Sequence, residues 1–484
     1  MVEAAWAAGF ETQAEETTAR LDVEGEIPGW LEGTYLVNGP GAFEAGDRPL
    51  NHWFDPLAMI RRFTVRDGTV DYANRYVRSR DREFAAERGG VRTPFPGTPP
   101  DRSLPTRVRQ VLTGAFPDNA SIGVARMGGE YLAVTESPWG LAFDPETLAF
   151  RGRRDLTAGL DVDLTLGHLH RDGAEGAFYN LGASYGRERG YTLFRRPDGD
   201  DGPGDPTPLA RIRIDRPYLP YVHSFALTER YAVIALGPFG VSPRALLAGA
   251  LRRRTFLDAF GAFDDPATFV VLDRRTGDRV ATTETDPFFA YHHANAYETD
   301  AGGGVVVDCV TYPDERAVTG LTLANLRSAA PDVPAGELTR FRIDLGSGRV
   351  ERRRLREGPV EFPTIDYRGT NGRPHRHVWL AEGGRGPLPT RLARLDVRDG
   401  GAAQYEPGPA SFPSEPVVVP PPDGNGADGV VLSVVLDAAA GRSALVVLDA
   451  ATMAELARAP LPHRLPYPFH GQFYAAGNPG RSMN

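Results

Sequence analysis

A strand–turn–strand unit recurs along this chain of 484 residues and limits what the chain can fold into. In each copy an apolar strand ends in Asp or Arg, the chain turns through Gly, Asp or Asn, and a polar strand follows. Hairpins of this chemistry are typical of the outer strands of propeller blades, each blade being a four-stranded sheet. The pattern predicts an all-β fold, a seven-bladed β-propeller. The copies lie at residues 62–70, 141–148, 192–199, 270–277, 340–348, 393–400 and 446–452.

The Gly and Pro content agrees with many short strands joined by turns. The chain has 55 Gly and 42 Pro, and segments with the period of an amphipathic helix are scarce. The seven units are irregularly spaced, so a β-sandwich array of unrelated hairpins is the alternative. In a propeller, irregular spacing indicates large insertions, which we expect to form a helical and loop cap over one face and to cover a tunnel. We expect one domain over residues 1–484.

Charge and residue usage argue against several classes of function. A net charge of −9 gives no support to nucleic-acid binding. All 54 basic residues are arginine, which excludes chemistry that needs a lysine Schiff base. A single cysteine, Cys309, excludes an intrachain disulfide and is predicted to be a buried strand residue. The sequence shows neither a signal peptide nor a stretch of membrane-spanning length, so we expect a cytoplasmic protein.

Residues 243–257 do not fit the hairpin pattern. The segment has helical composition, and its end carries three arginines, 252–254. Such a helix suits shallow insertion into a lipid interface, which predicts a peripheral membrane contact. The alternative is a cap helix packed on the propeller with its arginines in solvent. The apolar side chains that would insert are Leu246, Leu247, Leu251 and Phe256.

Four histidines lie in or beside apolar, strand-like sequence, where a lone imidazole is costly to bury. They are separated by 55, 69 and 178 residues, which corresponds to one blade, one blade and about three blades. Inner strands of different blades line one central channel, so these rings can converge on the axis. Four neutral imidazoles suit a divalent first-row metal, although each ring taken alone reads as a satisfied core histidine. The four are His168, His223, His292 and His470.

The charge of such a metal has to be balanced nearby. Carboxylates commonly accept the other ring N–H of a ligating histidine and fix its orientation. Glu136, Glu361 and Glu415 each interrupt apolar strand sequence in a different predicted blade. We therefore predict that these glutamates orient the ligands, while a surface carboxylate is the alternative for each one alone.

The four histidines and three glutamates, with the sequence around them, resemble the motifs of the carotenoid cleavage oxygenases. The resemblance covers nearly the whole chain, and within the family it is closest to the β-carotene oxygenase and retinoid isomerohydrolase branch. Two departures are Pro56, where the family usually has glycine, and Gly167-His168-Leu169-His170, which replaces Ala-His-Pro-His. The motifs include residues 33–41, 51–55, 221–225, 292–298, 323–327, 432–437 and 469–471.

The resemblance implies a mononuclear Fe(II) centre that uses O2 to split a conjugated C=C bond of a carotenoid or apocarotenoid into aldehydes. Central 15,15′ cleavage of β-carotene to retinal is one such reaction. By position, the family implies His168 rather than His170 as a ligand. It also implies His292 rather than His293, whose side chain faces the other side of the strand.

An extended polyene offers no polar handle, so we expect a tunnel with aromatic and aliphatic walls. For each residue proposed to line it, an ordinary core position is the alternative. The remaining histidines, His52, His375, His377 and His463, are assigned to structure. The predicted tunnel residues are Trp139, Phe143, Phe225, Phe289, Tyr291 and Phe469.

Several functions compete with carotenoid cleavage. An isomerohydrolase of retinyl esters shares the same motifs. A stilbenoid-cleaving member of the family would bind its phenol through a lysine, which this chain lacks. A non-enzymatic propeller scaffold would need neither the histidines nor the glutamates.

Overall fold

Antiparallel β-strands are the main secondary structure of the protein. The computed structural model describes residues 4–199, 202–299, 302–384 and 386–477. Within these ranges, seven sheets of four to six strands follow one another along the chain, and we number them sheets 1 to 7. This arrangement confirms the prediction of a mainly β fold.

Sheet 1 comes from the N-terminal part of the chain. Strands β1, β7, β6 and β3 pair in that order, and β4 pairs only with β5. The strands of this N-terminal part, of which β1, β3, β6 and β7 belong to sheet 1, are β1 (Thr18–Leu21), β2 (Glu24–Gly25), β3 (Gly33–Ala42), β4 (Glu44–Ala45), β5 (Arg48–Pro49), β6 (Leu57–Arg66) and β7 (Thr69–Tyr76).

Sheets 2 and 3 follow. Sheet 2 contains β8 (Gly123–Met127), β9 (Glu130–Val134), β10 (Trp139–Phe143) and β11 (Phe150–Asp155). Sheet 3 contains β12 (Leu164–Thr165), β13 (His170–Asp172), β14 (Ala177–Ser184), β15 (Gly190–Gly199), β16 (Gly202–Pro203) and β17 (Thr207–Arg213).

Sheet 4 is preceded and interrupted by a small sheet of three strands. The small sheet has β18, β21 and β22, and sheet 4 has β19, β20, β23 and β24. Their bounds are β18 (Leu219–Pro220), β19 (Ala226–Leu227), β20 (Tyr231–Leu236), β21 (Phe239–Val241), β22 (Phe260–Ala262), β23 (Ala267–Asp273) and β24 (Arg279–Thr285).

Sheets 5 and 6 have four strands each. Sheet 5 contains β25 (Phe289–Glu298), β26 (Gly304–Tyr312), β27 (Glu337–Asp344) and β28 (Val350–Arg356). Sheet 6 contains β29 (Val360–Thr364), β30 (His377–Gly383), β31 (Pro389–Asp396) and β32 (Ala402–Tyr405).

The two ends of the chain complete each other's sheets. Strand β2 from the N-terminal part pairs with β37 in sheet 7, and β38 from the C-terminal part pairs with β3 in sheet 1. The last strands are β33 (Ser411–Pro413), β34 (Val417–Val419), β35 (Val430–Asp437), β36 (Arg442–Asp449), β37 (Glu455–Pro460) and β38 (Gly471–Ala475).

The seven predicted hairpin units fall in seven different sheets, and their turns show why the pattern recurs. In the β6–β7 turn, Asp67 and Gly68 have φ of 49° and 69°, the left-handed pair that a two-residue hairpin turn needs. In other turns an Asp side chain accepts backbone N–H groups two and three residues further on, as Asp144 and Asp273 do. Where an apolar strand ends in Asp, that residue is therefore part of the turn.

Buried apolar clusters join each sheet to the next in chain order and join sheet 7 back to sheet 1. One cluster spans sheets 5, 6 and 7 and also includes residues of sheet 1 and of the small three-stranded sheet, and the others each join two neighbouring sheets. The apolar side chains that face between sheets thus form the core. Representative members are Ile60 and Leu141 (sheets 1 and 2), Leu132 and Phe178 (2 and 3), Leu193 and Ile234 (3 and 4), Phe269 and Phe341 (4 and 5), Leu338, Leu392 and Val435 (5 to 7), and Leu445 and Phe63 (7 and 1).

Helices lie in the connections. No helix among the described residues is long and apolar enough to cross a bilayer. The α-helices are α1 (Arg80–Arg88), α2 (Leu104–Leu112), α3 (Pro243–Leu251), α4 (Arg316–Thr319), α5 (Leu323–Leu326) and α6 (Tyr367–Thr370), and 3-10 turns cover Ala5–Phe10, Leu257–Ala259 and Gly426–Asp428.

The helix expected over 243–257 is shorter than the sequence suggested. Helix α3 ends at Leu251, where the N–H of Arg252 donates to the carbonyl of Gly249. Arg253 then adopts a left-handed φ of 56°, which breaks the helix. The three arginines therefore lie in the turn after α3, and α2 packs beside α3. The side chain of Leu251 lies outside the described residues.

Candidate metal centre

Each of the seven sheets contributes one histidine or glutamate to a single central site. The histidines come from sheets 1, 3, 4 and 5, and the glutamates from sheets 2, 6 and 7. Residues far apart in sequence converge because each lies on, or next to, a strand of its own sheet. In the order of sheets 1 to 7, the residues are His470, Glu136, His168, His223, His292, Glu361 and Glu415.

The four imidazoles of the site point their edges at one another. One ring nitrogen from each of the four predicted histidines lies within 4.8 Å of the others. Neighbouring rings have centroids 4.6–5.1 Å apart and interplanar angles of 60–87°. Edge-to-edge nitrogens around one point are the arrangement that a metal ion requires.

His223 is held by Glu136. The Nδ1–H of His223 donates to Glu136 Oε1 at 2.5 Å. The hydroxyl of Tyr221 donates to the same carboxylate oxygen at 2.8 Å. Burial and the nearby Glu136 charge raise the pKa of Tyr221 well above 10, so this phenol stays a neutral donor.

His292 is held in the same way by Glu361. Its Nδ1–H donates to Glu361 Oε2 at 2.6 Å, and the hydroxyl of Tyr312 donates to Oε1 at 2.9 Å. Burial opposes ionisation of Glu361, but the electrostatic interaction and the hydrogen bond with His292, together with the hydrogen bonds from Phe362 N–H and Tyr312, lower its pKa overall. The carboxylate is therefore ionised at neutral pH.

His470 is the third ring with a glutamate partner. Its Nδ1–H donates to Glu415 Oε1 at 2.9 Å, and the N–H of Gly471 donates to Glu415 Oε2 at 2.9 Å. His168 differs, because it has no glutamate partner in the described part of the chain, and its Nε2 lies 3.0 Å from the Nε2 of His223. Burial is the main cause that lowers the pKa of His168 well below 6.5, and the three neighbouring rings add to this effect, so the ring is neutral.

These hydrogen bonds fix which ring nitrogen faces the centre. A carboxylate only accepts, so Nδ1 carries the proton in three rings and Nε2 keeps a lone pair that points inward. The Nε2 of His292 is buried and has no hydrogen-bond partner among the described residues. A buried, unpartnered imidazole nitrogen is costly unless a metal binds it. The residues present therefore fit a divalent first-row metal held by four neutral imidazoles.

The two adjacent histidines are engaged elsewhere. His170 donates from Nε2 to the carbonyl of Phe225 at 2.8 Å, and its Nδ1 lies 3.0 Å from the hydroxyl of Tyr367. His293 places Nδ1 2.8 Å from Ser224 Oγ. Burial is the main cause that lowers the pKa of His170 to about 4 and that of His293 to about 3, so both rings are neutral.

The other four histidines make contacts away from the centre. His52 Nε2 lies 2.9 Å from the carbonyl of Val318, and His463 Nδ1 lies 2.9 Å from that of Arg464. His375 lies between Asn295 and the buried Asp308. His377 Nε2 is 3.9 Å from Asp396.

A sequence model of the retinal pigment epithelial membrane protein (RPE65) family matches residues 9–475. The chain belongs to this family, the carotenoid cleavage oxygenases. It is 30% identical over 510 residues to the β,β-carotene 15,15′-dioxygenase of Rattus norvegicus, covering 94% of this chain and 88% of the relative. It is 32% identical over 492 residues to the carotenoid isomerooxygenase of Galleria mellonella, covering 95% and 94%.

Solved structures agree with this assignment. Cobalt-substituted Synechocystis ACO superposes with a TM-score of 0.84 at 25% identity, covering 98% of both chains. An ACO/RPE65 chimera gives 0.85 at 26% identity with the same coverage. The protein is thus an enzyme of the carotenoid cleavage oxygenase family with a four-histidine metal site.

Two neighbouring cavities lie beside the metal site of this oxygenase and share part of their walls. The smaller, about 410 Å³, has His223, His292 and His470 in its wall. The larger, about 620 Å³, is lined by Glu136, Tyr221 and residues of α2 and α3. The residues that line both cavities are Phe54 and Ile122.

The cavities include two of the six aromatic residues predicted for the tunnel. Tyr291 and Phe469 line the smaller cavity. The other four line neither cavity. Arg153 lies 3.8 Å from the centroid of the Trp139 ring, and Phe143 is buried in the core between sheets 1 and 2.

Phe225 and Phe289 are buried behind the site. Phe225 lies in the core between sheets 3 and 4, with its ring edge-on to His170. Phe289 stacks on the ring of Tyr221 with centroids 5.9 Å apart. Neither residue lines either cavity, so for these two, as for Trp139 and Phe143, a place in the tunnel stays a prediction.

Several side chains at the site were not predicted from the sequence. Phe54 belongs to the motif 51–55, so that motif offered a signal for it. Ile122, Tyr312 and Phe362 stand outside the motifs. Phe362 lies in a bulge of β29 with a left-handed φ of 53°, and its ring stacks on His292 at 5.6 Å.

Proposed function

We propose that this protein is an Fe(II)-dependent dioxygenase that cleaves a conjugated C=C bond of a carotenoid or apocarotenoid into two aldehydes. The observation that carries the proposal is the position of the four-histidine site, because three of its histidines line a largely apolar cavity that shares Phe54 and Ile122 with a second, larger one. A polyene could extend from this point in both directions, with one double bond beside the metal.

The residues suit this chemistry. Iron bound by His168, His223, His292 and His470 would supply activation of O2 at the site. Glu136, Glu361 and Glu415 hold three of these rings by their Nδ1–H groups and bring negative charge close to the metal. The aromatic walls, including Phe54, Tyr291 and Phe469, would position the polyene and exclude water.

We also propose that the whole chain, 1–484, forms one seven-bladed propeller. Three observations support a closed ring. There are seven sheets, apolar side chains pack between each sheet and the next and between the last and the first, and each sheet contributes one residue to the site. The connections with α2 and α3 would form the cap, because both helices line the larger cavity.

We propose two candidate substrates. One is β-carotene, cleaved centrally at the 15,15′ bond to retinal, and the other is an apocarotenoid. The first is supported by the relative named as a β,β-carotene 15,15′-dioxygenase. The second is supported by the unequal cavities, about 620 and 410 Å³, which suit a substrate with two dissimilar halves.

The mouth of the larger cavity supports a peripheral membrane contact, through which a substrate insoluble in water would enter. Leu247 of α3 is 54% exposed and Leu104 of α2 is 47% exposed. Leu247 also lines the larger cavity, as do Arg253 and Arg254. Apolar side chains flanked by arginines suit an interface with anionic lipid. The cytoplasmic location stays a prediction.

Product identification tests the proposal. Metal-stripped protein, the same protein reloaded with Fe(II), and the His292→Ala variant are each incubated with β-carotene and with an apocarotenal, and products are identified by mass spectrometry. We expect paired aldehydes from the Fe(II)-loaded protein alone. Intact substrate in all three samples, or an isomerised product without cleavage, would contradict the proposal.

A further inference from the structure

Two tyrosines connect the cavity walls to the glutamates of the metal centre. Tyr221 lines the larger cavity and donates to Glu136 at 2.8 Å. Tyr312 lines the smaller cavity and donates to Glu361 at 2.9 Å. A tyrosine can present its ring to an apolar cavity while its hydroxyl reaches a buried carboxylate. Each cavity thus has a Tyr–Glu–His chain that leads to the metal.

The surroundings hold both tyrosine rings in place. The ring of Phe289 stacks on Tyr221 with centroids 5.9 Å apart and lies 6.2 Å from the ring of Tyr312. The ring of Tyr291 packs edge-on against Tyr312 at 5.8 Å. Because the rings are wedged among aromatic neighbours, their hydroxyls can fix the glutamates rather than follow them.

The two glutamates depend on tyrosine to different degrees. In the described part of the chain, the hydrogen-bond partners of Glu136 are Tyr221 and His223. Glu361 also accepts from the N–H of Phe362. Glu415, the third glutamate, accepts from the N–H of Gly471 and from His470. Glu136 therefore has the fewest alternatives if its tyrosine hydroxyl is removed.

We propose that Tyr221 and Tyr312 are positioning residues, whose hydroxyls hold Glu136 and Glu361 in the orientation that fixes His223 and His292 on the metal. This inference rests on the proposed four-histidine metal centre. It assigns to these tyrosines a part of the metal affinity and of the ligand geometry, in addition to their place in the cavity walls. Loss of outer partners of metal ligands typically lowers metal affinity about 10- to 100-fold, and the tyrosines are one bond further out.

The test uses Co(II) as the metal probe. Full-length apo-protein is titrated with Co(II) in competition with a chelator, and the visible d–d absorption of the bound ion reports ligand geometry. The variants are Tyr221→Phe and Tyr312→Phe. The matched control is Tyr291→Phe, because Tyr291, like Tyr312, is buried and lines the smaller cavity, but its hydroxyl donates to the backbone carbonyl of Ala317 at 2.9 Å.

We expect about tenfold weaker Co(II) binding and a changed absorption for Tyr221→Phe, a smaller change for Tyr312→Phe, and wild-type Co(II) affinity and absorption for Tyr291→Phe. Wild-type affinity and absorption in both test variants, or an equal change in the control, would overturn the inference. Failure of the wild-type protein to bind Co(II) would instead refute the metal centre on which it rests.

A double-mutant cycle separates positioning from a general loss of stability. If Tyr221 acts through Glu136, Tyr221→Phe should have little further effect on Co(II) affinity in a Glu136→Gln protein. Additive losses in the double variant would show that the two residues act independently and would also overturn the inference.

Discussion

The metal centre and the mouth of the larger cavity are built in opposite ways. At the centre, three imidazoles are tied to glutamates by hydrogen bonds of 2.5–2.9 Å, and each group is carried by its own antiparallel sheet. At the mouth, two helices of nine residues each carry an exposed leucine, and the turn after the second helix carries three exposed arginines. Hydrogen-bonded groups on the sheets thus hold the metal-binding histidines in position, whereas the entrance consists of exposed apolar surface.

The largest expected effect is at the centre. His292→Ala removes an inward-facing Nε2 and should abolish both iron binding and turnover while the fold is retained. Iron analysis and a product assay check this outcome. The control is His293→Gln, because His293 contacts Ser224 and should leave iron content unchanged. Full iron and turnover in His292→Ala would show that the ligand assignment is wrong.

The glutamates should have an intermediate effect. Replacing Glu136, Glu361 or Glu415 by Gln keeps the shape but removes the charge, and should lower iron affinity or activity about 10- to 100-fold without eliminating it. Chelator competition measures the affinity.

Glu382→Gln is the control for a buried carboxylate outside the centre. Glu382 accepts hydrogen bonds from Arg356 and Arg391, so its replacement should lower the melting temperature and spare iron affinity. Unchanged iron affinity and rate in all three test variants would remove the orienting role of the glutamates.

At the mouth, two adjacent leucines should behave differently. Leu247 is 54% exposed, whereas Leu246 is half-buried against the core. A fully inserted leucine contributes about 1.5–3 kcal/mol to lipid binding. Leu247→Ser should therefore reduce liposome sedimentation with an unchanged melting temperature, and Leu246→Ser should lower the melting temperature. If Leu247→Ser sediments with liposomes like the wild type, the proposed membrane contact is wrong.

The arginines after α3 should have the smallest effect. Each arginine near an anionic bilayer adds about 1 kcal/mol, or about fivefold in binding, at low salt. Arg252→Ser should show this loss with anionic vesicles, and the difference should shrink as salt is raised. Arg253 is the comparison, because Asp101 already lies 3.2 Å from its guanidinium. A loss that is independent of salt would argue for packing rather than for headgroup contact.

The same contrast explains what the sequence could predict. The hairpin turns carry local signals, because Asp and Gly are needed where the chain turns. The histidines and glutamates could be found because charged or polar residues stand out in buried strands. The end of α3, by contrast, could not be predicted. It depends on the left-handed conformation of Arg253, and arginine is not a residue that signals this conformation.

Tunnel residues were harder to predict, because proximity to a ligand in sequence is a poor guide to proximity in space. Trp139 follows Glu136 by three residues, yet its ring lies under Arg153. Phe143 is in the same strand and packs between two sheets. Tyr312 carries no local signal, since its role depends on Glu361, 49 residues further along the chain.

X-ray absorption at the iron edge of the Fe(II)-loaded protein tests the central claim most directly. We expect one iron per chain with four imidazoles, which produce characteristic multiple scattering, and with the glutamates outside the coordination shell. A spectrum that requires three or fewer imidazoles, with a carboxylate oxygen from Glu136, Glu361 or Glu415 bound directly to iron, would contradict it.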